Sequence, residues 1–245
     1  MGAQGSVSRI MRAMTTSPIR DSALNPGVKR REVFAWSMYD FANSGYTTVV
    51  LTAVFNAYFV SVVAQKAPWA TFAWTATLAV SYLLVMVAGP IVGAYADARA
   101  AKKRVLFVAT LFCVLSTAVL YGAGPGTLVL ACTAIIISNF CYAIGENMTA
   151  AFLPELARPE AVGKISGWGW AWGYVGGLAA LGACLAWIQS APSRGQAAGE
   201  AVPMTNLITA VIYAAGAAVT FLLLKERAVP TSDAHSFTES FSRLK

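Results

Sequence analysis

The run Tyr46–Val63 contains 18 residues and no charged side chain. As a helix that rises about 1.5 Å per residue, it would be roughly 27 Å long, close to the thickness of a bilayer's hydrocarbon core. Five more apolar stretches of similar length follow, separated by segments that contain proline, glycine or charged residues. This pattern predicts an all-α, polytopic membrane protein with six transmembrane helices. The predicted bounds of the other five are Thr71–Tyr95, Val105–Gly122, Thr127–Leu153, Ser166–Gln189 and Met204–Leu224.

The overall composition also argues against a soluble protein. The chain is 57% hydrophobic and 12% charged, whereas about 25% of the residues of soluble domains are charged. All 18 lysines and arginines lie outside the apolar stretches. We therefore expect no nucleic-acid partner, because a nucleic-acid site needs basic residues gathered on one folded face.

The sequence contains no motif typical of an enzyme or of a metal site. It has no recognisable nucleophile–base pair and no phosphate-binding loop. The four cysteines lie within apolar stretches, at spacings that match no metal motif. We predict that the protein is not an enzyme, uses no cofactor or metal, and uses its cysteines for packing. These cysteines are Cys113, Cys132, Cys141 and Cys184.

The distribution of basic residues predicts the orientation in the membrane. With a cytoplasmic N-terminus, 16 of the 18 basic residues lie on the cytoplasmic side, and only Lys66 and Arg194 lie outside. Both termini would then be cytoplasmic, with the protein in the cell membrane (plasma or inner). We predict a disordered basic tail at residues 1–31, a transmembrane domain at 32–226 and a cytoplasmic tail at 227–245.

The first predicted helix includes the stretch Glu32–Tyr46, which continues into the apolar run Tyr46–Val63. Polar residues form a stripe along this helix. At 100° per residue, Asp40, Asn43 and Thr47 share one face with Ser44 and Tyr58. A helix surrounded by lipid has no reason to carry such a stripe, because buried polar groups in hydrocarbon are costly. The stripe therefore predicts a polar cavity beside this helix.

A second acid, Glu146, lies in the fourth predicted helix, near the depth of Asp40 and on one face with other polar residues. A carboxylate inside a membrane costs about 2.5–3.5 kcal/mol. No apolar stretch contains a basic residue to neutralise it. The partners of the two acids would be each other through a shared proton, polar side chains, water or a cationic ligand; alternatively, both only touch interfacial water. We predict a pathway for solute and protons lined by Asp40, Asn43, Thr47, Tyr58, Asn139, Tyr142, Glu146 and Asn147.

The segment between the second and third predicted helices combines glycines, one acid and a basic cluster. Gly89 and Gly93 lie one turn apart and allow close helix contact. An acid such as Asp97 at a membrane boundary can hold a helix N-terminus or an arginine in one conformation and release it in another. The alternative is an ordinary basic cytoplasmic loop. The predicted gating residues are Gly93, Asp97, Arg99, Lys102, Lys103 and Arg104.

The fifth predicted helix is rich in glycine and tryptophan. Gly169, Gly173, Gly176 and Gly177 leave one face without side chains, which predicts close packing against another helix. The interleaved tryptophans, Trp168, Trp170 and Trp172, are assigned to the aromatic belt at the cytoplasmic interface and to packing; the alternative is an aromatic cage for a ligand.

Three sequence blocks resemble the major facilitator superfamily, specifically its branch related to the vacuolar amino-acid effluxer of fungal autophagy. The blocks are Trp36–Ser44, the loop around Asp97, and Ala151–Ala157 followed by Gly163–Gly177. The resemblance implies secondary transport by alternating access, with the substrate bound between two six-helix halves. Each half would consist of two inverted three-helix repeats, so that the first and fourth helices are equivalent and line the cavity.

The chain departs from the pattern of this superfamily in three places. Ala98 and Ala100 stand where the loop pattern has a basic residue and a glycine. The arginine that many relatives carry in the fourth helix is absent, with Glu146 nearby instead. The superfamily pattern needs twelve helices and this chain provides six, so we expect it to represent the N-terminal half.

The sequence is interpreted as a secondary transporter of small solutes, for example amino acids. Two alternatives remain open at this stage: a membrane scaffold without transport activity, and an oligomeric channel-like half-protein. The expected partners are the lipid bilayer, a small solute, protons, and either a second half or a second copy of the chain.

Overall fold

The computed structural model describes residues 21–228. Within this range six helices are long and apolar enough to cross a membrane, and no strand is formed. The predicted all-α architecture with six transmembrane helices is therefore confirmed. The predicted tails at 1–31 and 227–245 fall mostly outside the described residues. The helices are α1 (Arg30–Val63), α2 (Ala70–Arg99), α3 (Lys102–Gly122), α4 (Leu128–Leu156), α5 (Pro159–Gln189) and α6 (Ala198–Leu223).

Several helices extend beyond their predicted apolar bounds, both where α2 ends and α5 begins and, at the opposite end of the bundle, where α6 begins at Ala198. α2 continues to Arg99, and α5 begins at Pro159 instead of at a serine seven residues later. Charged side chains can extend a membrane helix into the interface, because they reach water there. Most of the basic residues of the described range lie at the end where α2 ends and α5 begins, which we call the charged end.

The packing of the helices has the symmetry of two inverted repeats. α1 packs along α5 and α6, whereas α4 packs along α2 and α3, and α3 contacts α6. Exchanging the first three helices for the last three in order turns the α1–α5 contact into the α4–α2 contact and the α1–α6 contact into the α4–α3 contact. The α3–α6 contact is left unchanged by the exchange. The first and fourth helices are thus structurally equivalent, as a half of the major facilitator fold requires.

The glycines of α5 allow it to lie directly against α1. A Cβ at Gly169 would lie 2.5 Å from the Trp36 ring, and one at Gly173 would lie 2.9 Å from Ser44 Oγ. A Cβ at Gly176 would overlap the backbone carbonyl of Phe41. The glycine face therefore packs against α1.

α1 changes its helical winding in the middle of the membrane. It is α-helical over Arg30–Tyr46 and π-helical over Thr47–Ala53 and Phe59–Val63. A π-helical turn contains an extra residue, which rotates all following side chains around the helix axis. The polar stripe of α1 therefore does not continue with α-helical spacing beyond Tyr46.

The segment before α1 packs against the turn between α4 and α5. Leu24 is buried and pairs with Ala157, and the Asn25 amide donates to the Leu156 carbonyl at 3.0 Å. Arg158 donates from Nε to the Leu24 carbonyl at 3.0 Å. The described part of the predicted tail thus contacts the end of α4, and the first helix begins at Arg30 instead of residue 32.

Candidate functional site

A polar cleft of about 420 Å³ lies between α1, α4 and α5. α1 contributes the stripe that the sequence predicted, because positions i, i+3, i+4 and i+7 of an α-helix share one face. α4 contributes two residues one turn apart, and α5 provides an aromatic and glycine wall. The lining residues are Asp40, Asn43, Ser44, Thr47, Thr48, Tyr142, Glu146, Trp170, Gly173, Tyr174, Gly177 and Leu178.

Glu146 is held in the cleft by a side chain from the opposite helix. Asn43, which is 2% exposed, donates a hydrogen bond from Nδ2 to Glu146 Oε1. This contact fixes the position of the Glu146 carboxylate in the cleft. Tyr142, one turn before Glu146 on α4, lines the same cleft.

Asp40 has a different environment in the same cleft. It is half-buried, and within residues 21–228 its carboxylate has neither a hydrogen bond nor an ion pair. It interacts electrostatically with Glu146. None of the twelve lining residues is basic. The cleft therefore combines one anchored acid and one acid without a partner, and no basic side chain of residues 21–228 lines it.

α1 and α4 are also joined by polar contacts on either side of the cleft. The Tyr46 hydroxyl and Ser138 Oγ are 2.8 Å apart, and the Tyr46 and Tyr142 rings pack at 5.4 Å. Trp36 donates from Nε1 to the Thr149 carbonyl at 2.8 Å. These contacts keep the two polar faces opposite each other.

The wall from α5 contains two aromatic rings. Trp170 and Tyr174 pack edge to face with centroids 6.2 Å apart, and both remain largely exposed. They occupy positions i and i+4, next to the glycines that pack on α1. An electron-rich ring face beside two carboxylates suits a cationic group.

A network of ion pairs joins the helices at the charged end. Lys102 Nζ lies 3.4 Å from Asp97 Oδ1 and 3.2 Å from Glu155 Oε1. The Arg227 amide donates to Glu155 Oε2 at 2.9 Å, and its guanidinium pairs with the buried Glu32 at 2.7 Å. The ends of α1, α2, α3 and α4 and the segment after α6 are therefore connected.

The comparison with known proteins identifies the family. A sequence profile described as "Vacuole effluxer Atg22 like" matches residues 59–245, which is more than half of the chain. The chain belongs to the Atg22-like vacuole effluxer family. The expected relation to the major facilitator superfamily is confirmed.

The comparison with curated proteins gives a bacterial relative of this Atg22-like chain. It is 30% identical over 145 residues to the MFS-type transporter YxiO of Bacillus subtilis (strain 168). The match covers 58% of this chain and 34% of YxiO, so the chain spans about a third of the length of the curated relative it matches. No solved structure was found to match. Transporters of this superfamily are typically not enzymes.

Five of the eight predicted pathway residues lie together in the cleft of this Atg22-like protein, and three lie elsewhere. Tyr58 donates to the Ala123 carbonyl at 3.0 Å, near the opposite end of the bundle. Asn139 is buried and donates to Ser81 Oγ on α2 at 2.6 Å. Asn147 is exposed on the side of α4 that faces Gly89. The five in the cleft are Asp40, Asn43, Thr47, Tyr142 and Glu146.

The predicted gating residues also separate into two groups. Asp97 and Lys102 form an ion pair, as described above. Lys103 Nζ instead donates to the Leu224 carbonyl at 2.5 Å, and Arg99 lies over the Tyr95 ring at 5.7 Å. Arg104 is exposed, and Gly93 has open space beside its Cα.

Several residues of the site were not singled out by the sequence analysis. Trp170 was assigned to the interfacial belt, although its spacing to Tyr174 places both on the face beside Gly173 and Gly177. Glu32 and Glu155 stand at helix ends, where acids are common. Their partners are distant in sequence, so sequence spacing gives no signal for these ion pairs.

Proposed function

We propose that the chain forms one half of a secondary transporter that moves a small cationic or amino-group-bearing solute through the cleft between α1, α4 and α5. The observation that carries the proposal is the pair Asp40 and Glu146, which line the same cleft, where none of the described lining residues is basic. Buried carboxylates in membrane proteins are costly and usually serve an ion or substrate pathway. Membership of a transporter family supports this proposal.

The two acids would have different tasks. Asp40 has no hydrogen-bond or ion-pair partner among the described residues, so it is available to bind an ammonium group, with Trp170 and Tyr174 contributing cation–π contacts. Glu146 is held by Asn43 and would take up or release a proton when the substrate binds or leaves. A cleft of about 420 Å³ has the size of a small-molecule site. An amino acid fits this chemistry.

Among the described residues, only α1, α4 and α5 line the cleft, and its remaining side is open. A second six-helix half would cover this side and complete the substrate site, as alternating access requires. The ion pairs at the charged end connect the helices that would move, so they would stabilise one of the two conformations. Lys102 would be central, because it contacts both Asp97 and Glu155.

The test is transport by the complete natural protein in proteoliposomes with an imposed pH gradient. The panel contains radiolabelled lysine, leucine, glutamate and glucose, and the variants are Asp40→Asn, Glu146→Gln and Glu160→Gln. We expect uptake of at least one amino acid and its loss in the first two variants. Glu160 is exposed and lines no cleft, so its variant is a charge-matched control and should transport normally.

Three results would contradict the proposal. Uptake that is unchanged in the double variant Asp40→Asn/Glu146→Gln would remove the cleft acids from the mechanism. No uptake of any solute by correctly folded protein would favour the non-transporting scaffold. An ionic current that does not depend on coupled movement of solute and protons would favour a channel.

A further inference from the structure

A second recess lies at the charged end, on the outer side of the bundle between α2, α3 and α6. It has a volume of about 620 Å³ and does not share a residue with the polar cleft. Three basic side chains and three aromatic rings line it. These are Arg99, Lys103, Arg104, Tyr95, Phe107 and Phe221.

Two of the basic residues have no acidic partner in the part of the chain that the structure describes. The acid in the recess, Glu226, accepts hydrogen bonds from the backbone amides of Lys102 and Lys103 at 2.6 and 3.2 Å, so it caps α3. Arg99 and Arg104 are exposed and form no ion pair within the described range. Exposed guanidinium groups that lack an acid suit a phosphate, which they bind through two parallel hydrogen bonds.

Two apolar grooves continue from this recess into the membrane, one on each side of α3. The first runs between α3 and α6, has a volume of about 320 Å³, and shares Phe107 and Phe221 with the recess. Thr110 lines it, but its hydroxyl donates to the Leu106 carbonyl at 2.7 Å. The groove therefore offers no unsatisfied polar group to its occupant.

The second groove runs between α2, α3 and α4. It has a volume of about 390 Å³ and shares Tyr95 and Arg104 with the recess. Away from that junction its walls are apolar side chains such as Val108, Phe112 and Phe140. A single headgroup-sized recess is thus continuous with two chain-shaped apolar grooves.

We propose that this surface binds an anionic diacyl phospholipid of the surrounding membrane. Its phosphate would lie between Arg99 and Arg104, and one acyl chain would occupy each groove beside α3. The recess lies at the ends of membrane helices, which is the depth of the headgroups. Basic pockets between such helices attract anionic headgroups. The uncompensated positive charge favours an anionic lipid over a zwitterionic one, whose ammonium group would be repelled.

The experiment measures lipid binding to the purified full chain by native mass spectrometry. The probes are dioleoyl phosphatidylglycerol, dioleoyl phosphatidylcholine and the soluble anion glycerol 3-phosphate. We expect the protein to retain phosphatidylglycerol with an affinity at least tenfold higher than phosphatidylcholine. The variant Arg99→Gln/Arg104→Gln should lose roughly tenfold or more of this affinity, because two charges near the headgroup are removed.

Two further variants separate this site from general charge attraction. Arg31→Gln/Lys164→Gln removes the same charge from the same end but outside the recess, and should bind the lipid normally. Ala218→Phe fills the groove between α3 and α6; Ala218 is exposed, so the larger side chain need not disturb the core. This variant should lose phosphatidylglycerol although both arginines are present.

Three outcomes would overturn the proposal. Equal binding of the two lipids would show that charge does not select the occupant. Displacement of the lipid by glycerol 3-phosphate at equal concentration would indicate a site for free phosphate. Unchanged lipid binding by Ala218→Phe would remove the grooves from the site, and this variant decides the question if the arginine variant is not recovered.

Discussion

Asn43 on α1 donates a hydrogen bond to the carboxylate of Glu146 on α4. The two helices occupy equivalent positions in the inverted repeats, so the bond joins the two repeats inside the cleft. It also makes the two acids of the cleft different, because no donor from residues 21–228 holds the Asp40 carboxylate in this way. This difference underlies the separate tasks that we propose for binding the solute and for carrying a proton.

The bond between Asn43 and Glu146 should be measurable as a coupling energy. Hydrogen bonds to charged groups contribute about 1.5–3 kcal/mol. We expect Asn43→Ala to lower the free energy of unfolding by about that amount, and to have a smaller effect when Glu146 is already glutamine. Reversible unfolding in mixed micelles of the four proteins of this double-mutant cycle tests it. A coupling below about 0.5 kcal/mol, the usual error of additivity, would contradict the prediction.

The contact between α5 and α1 predicts a strong difference between two glycines. A Cβ at Gly176 would overlap the Phe41 backbone, which cannot move aside as a side chain could. We expect Gly176→Ala to cost roughly 3 kcal/mol or more, the upper range for overpacking, and to reduce the yield of monodisperse protein. Gly182 on the same helix has open space, so Gly182→Ala should be neutral or slightly stabilising. Equal thermal stability of both variants would show that the helices are not packed as described.

The six helices and the cleft-lining stripe could be predicted because the membrane imposes simple rules. A span must be long and apolar, and a polar face on a span needs a polar environment. Asp40, Asn43 and Thr47 were placed together because α1 is α-helical up to Tyr46. For the same reason Tyr142 and Glu146, one turn apart on α4, were found together.

The same counting misplaced Tyr58 because α1 becomes π-helical at Thr47. The extra residue in each wider turn rotates the helix face, and nothing in the local sequence announces this change. Asn139 lies on the same face of α4 as Glu146 but two turns away from it. At that level of the helix its side chain donates to Ser81 of α2 and does not reach the cleft. The extent of the cleft along the membrane normal depends on neighbouring helices, which periodicity does not describe.

The contacts at the charged end could not be predicted for a different reason. Glu32 and Arg227 are separated by almost the whole described chain and meet only because α1 and α6 pack together. Glu155 likewise joins Lys102 and Arg227 from two other segments. Counting charges along the sequence predicted that basic residues gather at one end of the bundle. It could not predict which acid pairs with which base, because these pairs depend on the tertiary fold.

Two alanines near the end of α2, Ala98 and Ala100, should respond in opposite ways to replacement by glycine. Ala100 has φ +47° and ψ +51°, a left-handed conformation that costs roughly 1–2 kcal/mol for a residue with a Cβ. The superfamily pattern has glycine at this position. We expect Ala100→Gly to raise the free energy of unfolding by about 1 kcal/mol. Ala98→Gly, within the helix, should lower it by about 1 kcal/mol. Thermal unfolding in detergent measures both, and a destabilised Ala100→Gly variant would contradict the left-handed assignment.

The segment after α6 should be released when Glu226 loses its charge. The Glu226 carboxylate accepts from the amides of Lys102 and Lys103, at the positive end of the α3 dipole. Removing a charged cap of this kind costs about 1 kcal/mol. We expect Glu226→Gln to expose this segment more often, so that trypsin cleaves after Lys225 and Arg227 about fivefold faster, because local opening follows the lost free energy.

The control for this cleavage is Glu160→Gln, which removes an equal charge at the same end and retains every trypsin site. Cleavage after Lys66, at the opposite end of the bundle, should not change in either variant, since the cap is a local contact. High salt should reduce the difference between wild type and Glu226→Gln, because screening weakens the interaction of the carboxylate with the helix dipole. If cleavage at Lys66 accelerates together with cleavage at Lys225, the variant has destabilised the whole bundle and the segment is not held by Glu226 alone.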